Sequence, residues 1–359
     1  MINQYHMKGG GYYNAHSTPQ HDAMYGCLPW LLEAVASMKL PADKQLRTLD
    51  VGCSQGANSV DMLKQLVAKL REAGATSIQP SLADLPSNDF NSVFENLFPG
   101  GDNVFGGTDV LPAAIGGSAY ERLAPTQSLH VVTTFNMLGW RKQPPVTRLR
   151  NTIAAFHPTP YAEPHGPQAD PAAIDAAVAE AKPDLVDFFR ARAEELVPGG
   201  KMLVQIFGSS DDGGNTAHGW LDALNDVLFS LIDEGKLTQQ AMDDFTFPVV
   251  WRTLAELKEP LENEPDLRAA FTIEKADSWE VPVDFNVRYE ESGNLQNWAH
   301  EYTEVFRAVT ETTLAGIFPE ETCEALIDEV YKRIETRFAE DPVRYQFHFY
   351  SIAVLLTRN

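Results

Sequence analysis

Short apolar runs and helical stripes alternate along the first part of the chain. Residues 46–51 end in Leu49, Asp50 and Val51, a run that predicts a first buried strand. Over 57–73, Val60, Leu63, Leu66, Val67 and Leu70 fall on one helical face. Residues 77–83 read as a second strand, and 88–97 as a short helix with Phe90, Val93, Phe94 and Leu97 on one stripe. A further strand is expected over 128–134. Five prolines between 157 and 171 mark a loop. A helix from about 172 to 196 should stop at Pro198-Gly199-Gly200, before an apolar strand at 201–207. Strands alternating with helices predict an α/β fold, a Rossmann-like parallel sheet with helices on both faces.

Beyond residue 214 the pattern turns mainly helical, with helices over 217–235, 238–244, 299–315 and 320–338. A strand over 269–275 interrupts them, and the β-rich tail 345–357 should return to the sheet. The expected division is an α/β domain at 1–213, with an N-terminal arm at 1–25, a helical cap at 214–340 and a terminal strand at 341–359. No internal repeat or low-complexity tract is present.

Length and charge narrow the function classes. The 359 residues suit two domains, or one with a large insertion, at roughly 150 residues per domain. Lys and Arg number 28 against 50 Asp and Glu, a net charge of −22 that repels phosphate backbones and argues against nucleic acid as a partner. A small anion remains acceptable, because a local site can differ from the overall field. Cys27, Cys53 and Cys323 lie far apart, without metal-ligand or disulfide spacing, which suits a reducing cytoplasm. The N-terminus lacks the apolar core of a signal peptide, and no run of about 18 apolar residues could span a membrane.

The most informative stretch is LDVGCSQGANS, residues 49–59. Gly52 and Gly56 allow a tight strand-to-helix turn. Their Gly-x-x-x-Gly spacing fits a dinucleotide pyrophosphate poorly. A strand-end Asp before such a turn suits S-adenosylmethionine, which brings a charged amino acid and a ribose but no phosphate. An ordinary glycine-rich turn is the alternative on these residues alone.

Four segments in order resemble the SABATH carboxyl methyltransferases. They are YHMKGGGYYNAHSTPQ, the LDVGCSQGANS turn, LADLPSNDFNSVFENL and GSAYERLAPTQSLHVVTTFNMLGW. Weaker similarity continues through VPGGKMLVQIFG, DALNDVLFSLIDEGKLTQQAMDDFTFP and the terminal LLTRN. The resemblance implies a methyltransferase that uses S-adenosylmethionine. Tyr13 and Ser17 would flank the methionine end of this cofactor, with Asn58 nearby and Gly52 in the turn beneath it. Asp50 would face its ammonium group, a charge-assisted contact; capping of the next helix is the plainer role. Asp84 would take both ribose hydroxyls, an ordinary turn at Asp-Leu-Pro being the alternative. Leu85, Ser118 and Ala119 would contact the adenine. Ala119 departs from the family's aromatic residue. Phe135 and Asn136 would lie near the sulfonium. Asn88 reads as a helix N-cap.

Gln20 and Trp140 match the two positions that grip the substrate carboxylate and are expected to carry the reaction. Each offers a neutral N–H donor to one carboxylate oxygen. A carboxylic acid with a pKa near about 4 is already ionised, so no general base is needed. Neutral donors orient the nucleophile without quenching a charge that is lost in the transition state. Rate then comes from alignment, with one oxygen about 3 Å from the methyl carbon and in line with the C–S bond. Met137 and Gly139 flank the approach to Trp140, and Gly139 is expected to widen the pocket. Trp220, Phe247, Trp251 and Phe349 are expected to line its apolar part, simple cap core being the other reading. The magnesium segment of plant relatives reads Asp243-Asp244-Phe245-Thr246 here, with Thr for Asn, and Asn151 is a loose match, so no metal is expected.

The expected reaction converts the carboxylate of a small, largely apolar or aromatic acid to its methyl ester. Methylation of a xanthine-like ring nitrogen and a non-catalytic cofactor-binding scaffold are the alternatives. Gln143-Pro144-Pro145-Val146 lacks the acceptor and aromatic residues of amino-methylating enzymes. The departures at Gly139 and Ala119 suggest a microbial member with its own substrate. Family analogy implies a homodimer.

Overall fold

The computed structural model describes residues 7–157 and 167–359. Most of the expected proline-rich loop therefore lies outside the described residues. Seven strands form one sheet: β1 Gln45–Val51, β2 Ser77–Asp84, β3 Ala113–Gly116, β4 Leu129–Phe135, β5 Leu196–Phe207, β6 Phe271–Val281 and β7 Phe349–Arg358. Their order is β3-β2-β1-β4-β5-β7-β6. Strands β1 to β5 pair in parallel, and β7 runs antiparallel between β5 and β6. Central strands are apolar on both faces because both faces are covered.

Thirteen α-helices are found among the described residues: α1 Tyr12–Ala15, α2 Thr18–Ala36, α3 Ala57–Glu72, α4 Phe90–Leu97, α5 Pro171–Ala179, α6 Lys182–Glu195, α7 Trp220–Asp233, α8 Gln239–Asp244, α9 Leu254–Asn263, α10 Pro265–Ala270, α11 Asp284–Ser292, α12 Leu295–Leu314 and α13 Cys323–Glu340. Alternate strand residues feed two cores. Leu46, Val131 and Leu203 pack with α2 and α3 on one face, while Leu49, Val132 and Val204 pack with α6, α9 and α10 on the other. A third core joins α7, α12 and α13.

Several elements differ from the pattern expected of the sequence. The single helix over 172–196 is two, α5 and α6, separated at Glu180 and Ala181. Pro183, at the start of α6, cannot donate the hydrogen bond a continuous helix needs. Of the strand expected over 269–275, Ala269 and Ala270 close α10 and the strand β6 starts at Phe271; it is the edge of the main sheet, paired with β7, rather than part of a cap. Helix α4 is capped by Asp89, which accepts from the Ser92 N–H at 3.1 Å, and not by Asn88. Helix α2 escapes the expected pattern altogether, because Pro19, Gly26 and Pro29 interrupt its stripe. Its buried face still recurs at helical spacing, through Met24, Cys27, Leu28, Leu31 and Val35.

Candidate active site

The ends of β1 and β2 are knitted together by one carboxylate. Gly52 (φ 86°) and Gly56 (φ 92°) hold the left-handed conformations that the turn requires. A Cβ on Gly52 would also meet Met137 Cγ at 2.5 Å. Between them the Ser54 N–H donates to Asp84 Oδ2 at 2.7 Å, and the Leu85 N–H donates to Asp84 Oδ1 at 2.7 Å. Asn88 Nδ2 donates to the Ser54 carbonyl at 2.6 Å.

Asp50 is buried one turn deeper. Its oxygens accept from Ser59 Oγ at 2.6 Å and Thr133 Oγ1 at 2.7 Å. Burial pushes its carboxyl up to about 6; the two hydroxyls oppose this and the Asp84 charge adds to it. A carboxylate held by neutral hydroxyls in a buried site lacks only a cation to restore its ordinary ionisation.

The N-terminal arm crosses this turn. Gln55 Nε2 donates to the Lys8 carbonyl at 2.7 Å, while the Lys8 N–H reaches Ala308 of α12 at 3.0 Å and its ammonium reaches Glu311 at 2.9 Å. The arm is therefore strung between sheet and cap. Tyr13 is buried beside Asp84, and both effects raise its phenol above the ordinary value. Buried Ser17 accepts from Asn58 Nδ2 at 3.1 Å. The Gln20 carbonyl accepts from Asn136 Nδ2 at 3.2 Å. Asn136 itself has φ 56° and is fixed by Gln205, whose Nε2 donates to its Oδ1 at 3.1 Å. This chain of contacts keys the arm to the segment after β4.

That segment carries Trp140. Its backbone N–H donates to the Met137 carbonyl at 2.8 Å, the Tyr120 hydroxyl donates to its carbonyl, and its ring leans on Phe247 at 5.3 Å. The Gln20 amide oxygen is buried without a partner, and the Trp140 indole N–H is bonded to no other described residue. Both side chains line one cavity of about 370 Å³, together with Tyr13, Asp84 and Met137. A narrow extension of about 30 Å³ reaches Asp50 and Asn58.

The other end of the cavity is built by 117–124. Buried Arg192 donates to the carbonyls of Ala119 at 2.9 Å and Glu121 at 2.8 Å, and pairs with Glu195 at 2.5 Å. Glu195 accepts from the N–H groups of Leu123 and of Ala124, the latter at 2.8 Å. The loop is thus shaped by an ion pair on α6.

A family model described as SAM-dependent carboxyl methyltransferase matches residues 2–359. The chain belongs to that family. It is 27% identical over 369 residues to a salicylate carboxymethyltransferase of Clarkia breweri, covering 98% of this chain and 97% of that one. It is 28% identical over 328 residues to a jasmonate O-methyltransferase of Arabidopsis thaliana, covering 84% and 79%. A solved loganic acid methyltransferase with SAH shares the fold, with TM-score 0.79, 20% identity and 98% of each chain covered.

Within this carboxyl methyltransferase, most of the cofactor positions expected from the sequence come together. Tyr13, Gly52, Asp84, Leu85, Ser118, Ala119, Phe135 and Asn136 line the main cavity; Asp50 and Asn58 line its extension, and Ser17 stands behind Asn58. The residues fit S-adenosylmethionine: a buried carboxylate for its ammonium, a second at the end of β2 for its ribose, and a fixed loop for its adenine. The substrate positions divide. Gln20, Met137 and Trp140 line the cavity. Trp220, Phe247, Trp251 and Phe349 do not, being 6%, 2%, 6% and 3% exposed within the cap core. Gly139 does not widen the cavity either, because Phe207 fills the space beside it.

Met7, Asn88, Phe207 and Val309 line the cavity without having been expected there. Only Asn88 carried a signal, its place beside Asp84. At the magnesium segment, the Asn151 N–H donates to Asp243 at 3.2 Å and Gln239 Nε2 donates to Asp243 at 2.9 Å. Among the described residues no group of three or more His, Cys, Asp or Glu side chains is placed to hold a metal ion, and no helix is long and apolar enough to cross a membrane.

Proposed function

We propose that this methyltransferase esterifies a small, largely apolar or aromatic carboxylic acid, with Gln20 and Trp140 as the catalytic residues. The observation that carries the reading is a pair of side-chain N–H donors lining one cavity, the Gln20 amide NH2 and the Trp140 indole N–H, neither of them bonded to a described residue. The two oxygens of a carboxylate can each accept from one of these neutral N–H donors.

When bound, S-adenosylmethionine supplies a methyl group on a sulfonium that departs as a neutral thioether. Everything else falls to the chain. Gln20 and Trp140 each hold one oxygen of the acceptor, so the free lone pair points along a fixed line. Neither donor is charged, so the nucleophile keeps its electron density. No proton moves, since the acid arrives ionised. Asp50 would hold the donor's ammonium and Asp84 its ribose, and the arm residues Met7, Tyr13 and Gln20, which line the cavity, would help to exclude water.

A methyl-transfer assay with acids and xanthines tests the reading. Methyl esters from acids alone are expected; methylation confined to xanthines, or cofactor binding without turnover, overturns it. Trp140→Phe, which removes only the N–H, is expected to lower kcat/KM for the acid by about 10²-fold while leaving cofactor Kd unchanged. We further propose a cytoplasmic homodimer in which α7, α12 and α13 form a helical cap, β6 belonging to the sheet. The cysteines support the reducing compartment, since Cys27 and Cys53 are buried and unpaired. Sedimentation at micromolar concentration checks the dimer.

A further inference from the structure

Gly139 leaves a gap beside Trp140 that another side chain fills. A Cβ there would lie 2.4 Å from Phe207 Cζ, 2.5 Å from Phe207 Cε2 and 3.2 Å from the Val250 carbonyl oxygen. The ring thus occupies the volume a side chain at 139 would take. Main chain closes the opposite side, for the Val250 N–H donates to the Gly139 carbonyl at 2.8 Å and Trp140 bridges Val249. Phe207 ends β5, whose backbone is held between β4 and β7, so the anchor of its ring is part of the sheet and not of the cap.

The ring separates two compartments. On one side is the cavity, shared with Trp140 and Met137. On the other is Trp251, with ring centroids 6.4 Å apart, backed by Trp220 at 6.3 Å and Phe156 at 6.2 Å from Trp251. The aromatic residues expected from the sequence to touch substrate therefore sit behind Phe207 and Trp140. At about 370 Å³, the cavity lies at the low end of the ~300–1,000 Å³ typical of small-molecule sites, and it must hold donor and acceptor together.

We infer that Phe207, seated in the gap left by Gly139, sets the size limit for the acid: a single ring or short apolar chain is accepted, and a biaryl or long-chain acid is refused. Apolar Met7 and Val309 share this cavity with Phe207. The Arg141 charge is matched away from the acid, by the carboxylates of Glu180 at 3.8 Å and Asp184 at 3.7 Å, while its guanidinium donates to the carbonyls of Ala177 at 3.3 Å and Glu180 at 2.9 Å. The glycine and the phenylalanine act as a pair. A small residue at one position makes room for the large ring at the other.

This inference rests on the esterification reading, and the test separates the two. Benzoate and biphenyl-4-carboxylate serve as probes with the full chain. The wild type is expected to favour benzoate by about 10²-fold in kcat/KM. Phe207→Ala should raise kcat/KM for biphenyl-4-carboxylate at least about tenfold and lower that for benzoate, with KM for the methyl donor unchanged. Phe207→Leu should fall between and serves if the alanine variant loses its fold. Gly139→Ala, which forces the ring into the cavity, should lower kcat/KM for benzoate by about tenfold while leaving Kd for S-adenosylhomocysteine unaltered. The same ratio of the two acids in wild type, Phe207→Leu and Phe207→Ala overturns the inference, as does a wild-type preference for the longer acid. Calorimetric binding of both acids to the complex with S-adenosylhomocysteine reads the ratio without turnover. Failure of esterification is thereby told apart from failure of the size limit, and equal binding of both acids refutes the limit alone.

Discussion

Asp50 has its carboxyl pushed up to about 6 by burial, with only hydroxyl partners. Raising the pKa favours the protonated form in the free protein, so the burial of Asp50 disfavours folding increasingly as pH rises from the ordinary carboxylate range through about 6. A cationic amino group beside it reverses the preference, and binding then requires the ionised form. Kd for S-adenosylmethionine is accordingly expected to rise about tenfold between roughly pH 7 and pH 5, with proton release on binding near pH 6, as titration calorimetry in buffers of different ionisation enthalpy can check. Asp50→Asn should bind weakly and lose the slope. Asp50 and Asp84 were legible in the sequence because each sits in a contiguous motif at a strand end. Phe207 was not, since its meaning depends on a glycine brought to it from another strand end. For the same reason Trp220 and Trp251 were misplaced: aromatic content marks apolar surroundings without saying which side of a partition they occupy.

Among the elements, α6 bears on the site without entering it. Its buried pair, Arg192 and Glu195, spends its hydrogen bonds on the main chain of 119–124. Breaking a fully buried pair strands a charge, so Glu195→Ala is expected to destabilise the protein by about 3–5 kcal/mol in denaturant unfolding. Arg192→Lys keeps the charge but not the planar fork; it should raise KM for the donor several-fold while leaving KM for the acid alone. A purely structural pair would move both or neither. The alternating elements of the α/β half were readable from periodicity because they follow it closely. Helix α2 was hidden by Pro19, Gly26 and Pro29, although Pro29 faces solvent and interrupts little. β6 was half-read because, as an edge strand, it is exposed on both faces along most of its length and lacks an apolar alternation.

On the scale of the whole molecule, a net charge of −22 surrounds a cavity proposed to receive an anion. Diffusional encounter is opposed by the field, and salt screens that field over a Debye length of about 10 Å at 0.1 M. KM for the acid is therefore expected to fall about two- to threefold between roughly 10 mM and 150 mM salt, with kcat unchanged, as initial rates across a salt series would reveal. A KM that climbs with salt would point instead to a locally attractive mouth. The sheet order carries another consequence. Strand β7 is the last of the seven in sequence, yet it lies between β5 and β6. A nascent chain must therefore wait for β7 before the facing edges of β5 and β6 find a partner, folding late and through long-range pairing. Ribosome stalling, premature stop codons or proteolytic trimming near Phe349–Arg358 would leave a sticky half-sheet for chaperones to shield, rather than a slightly shortened enzyme.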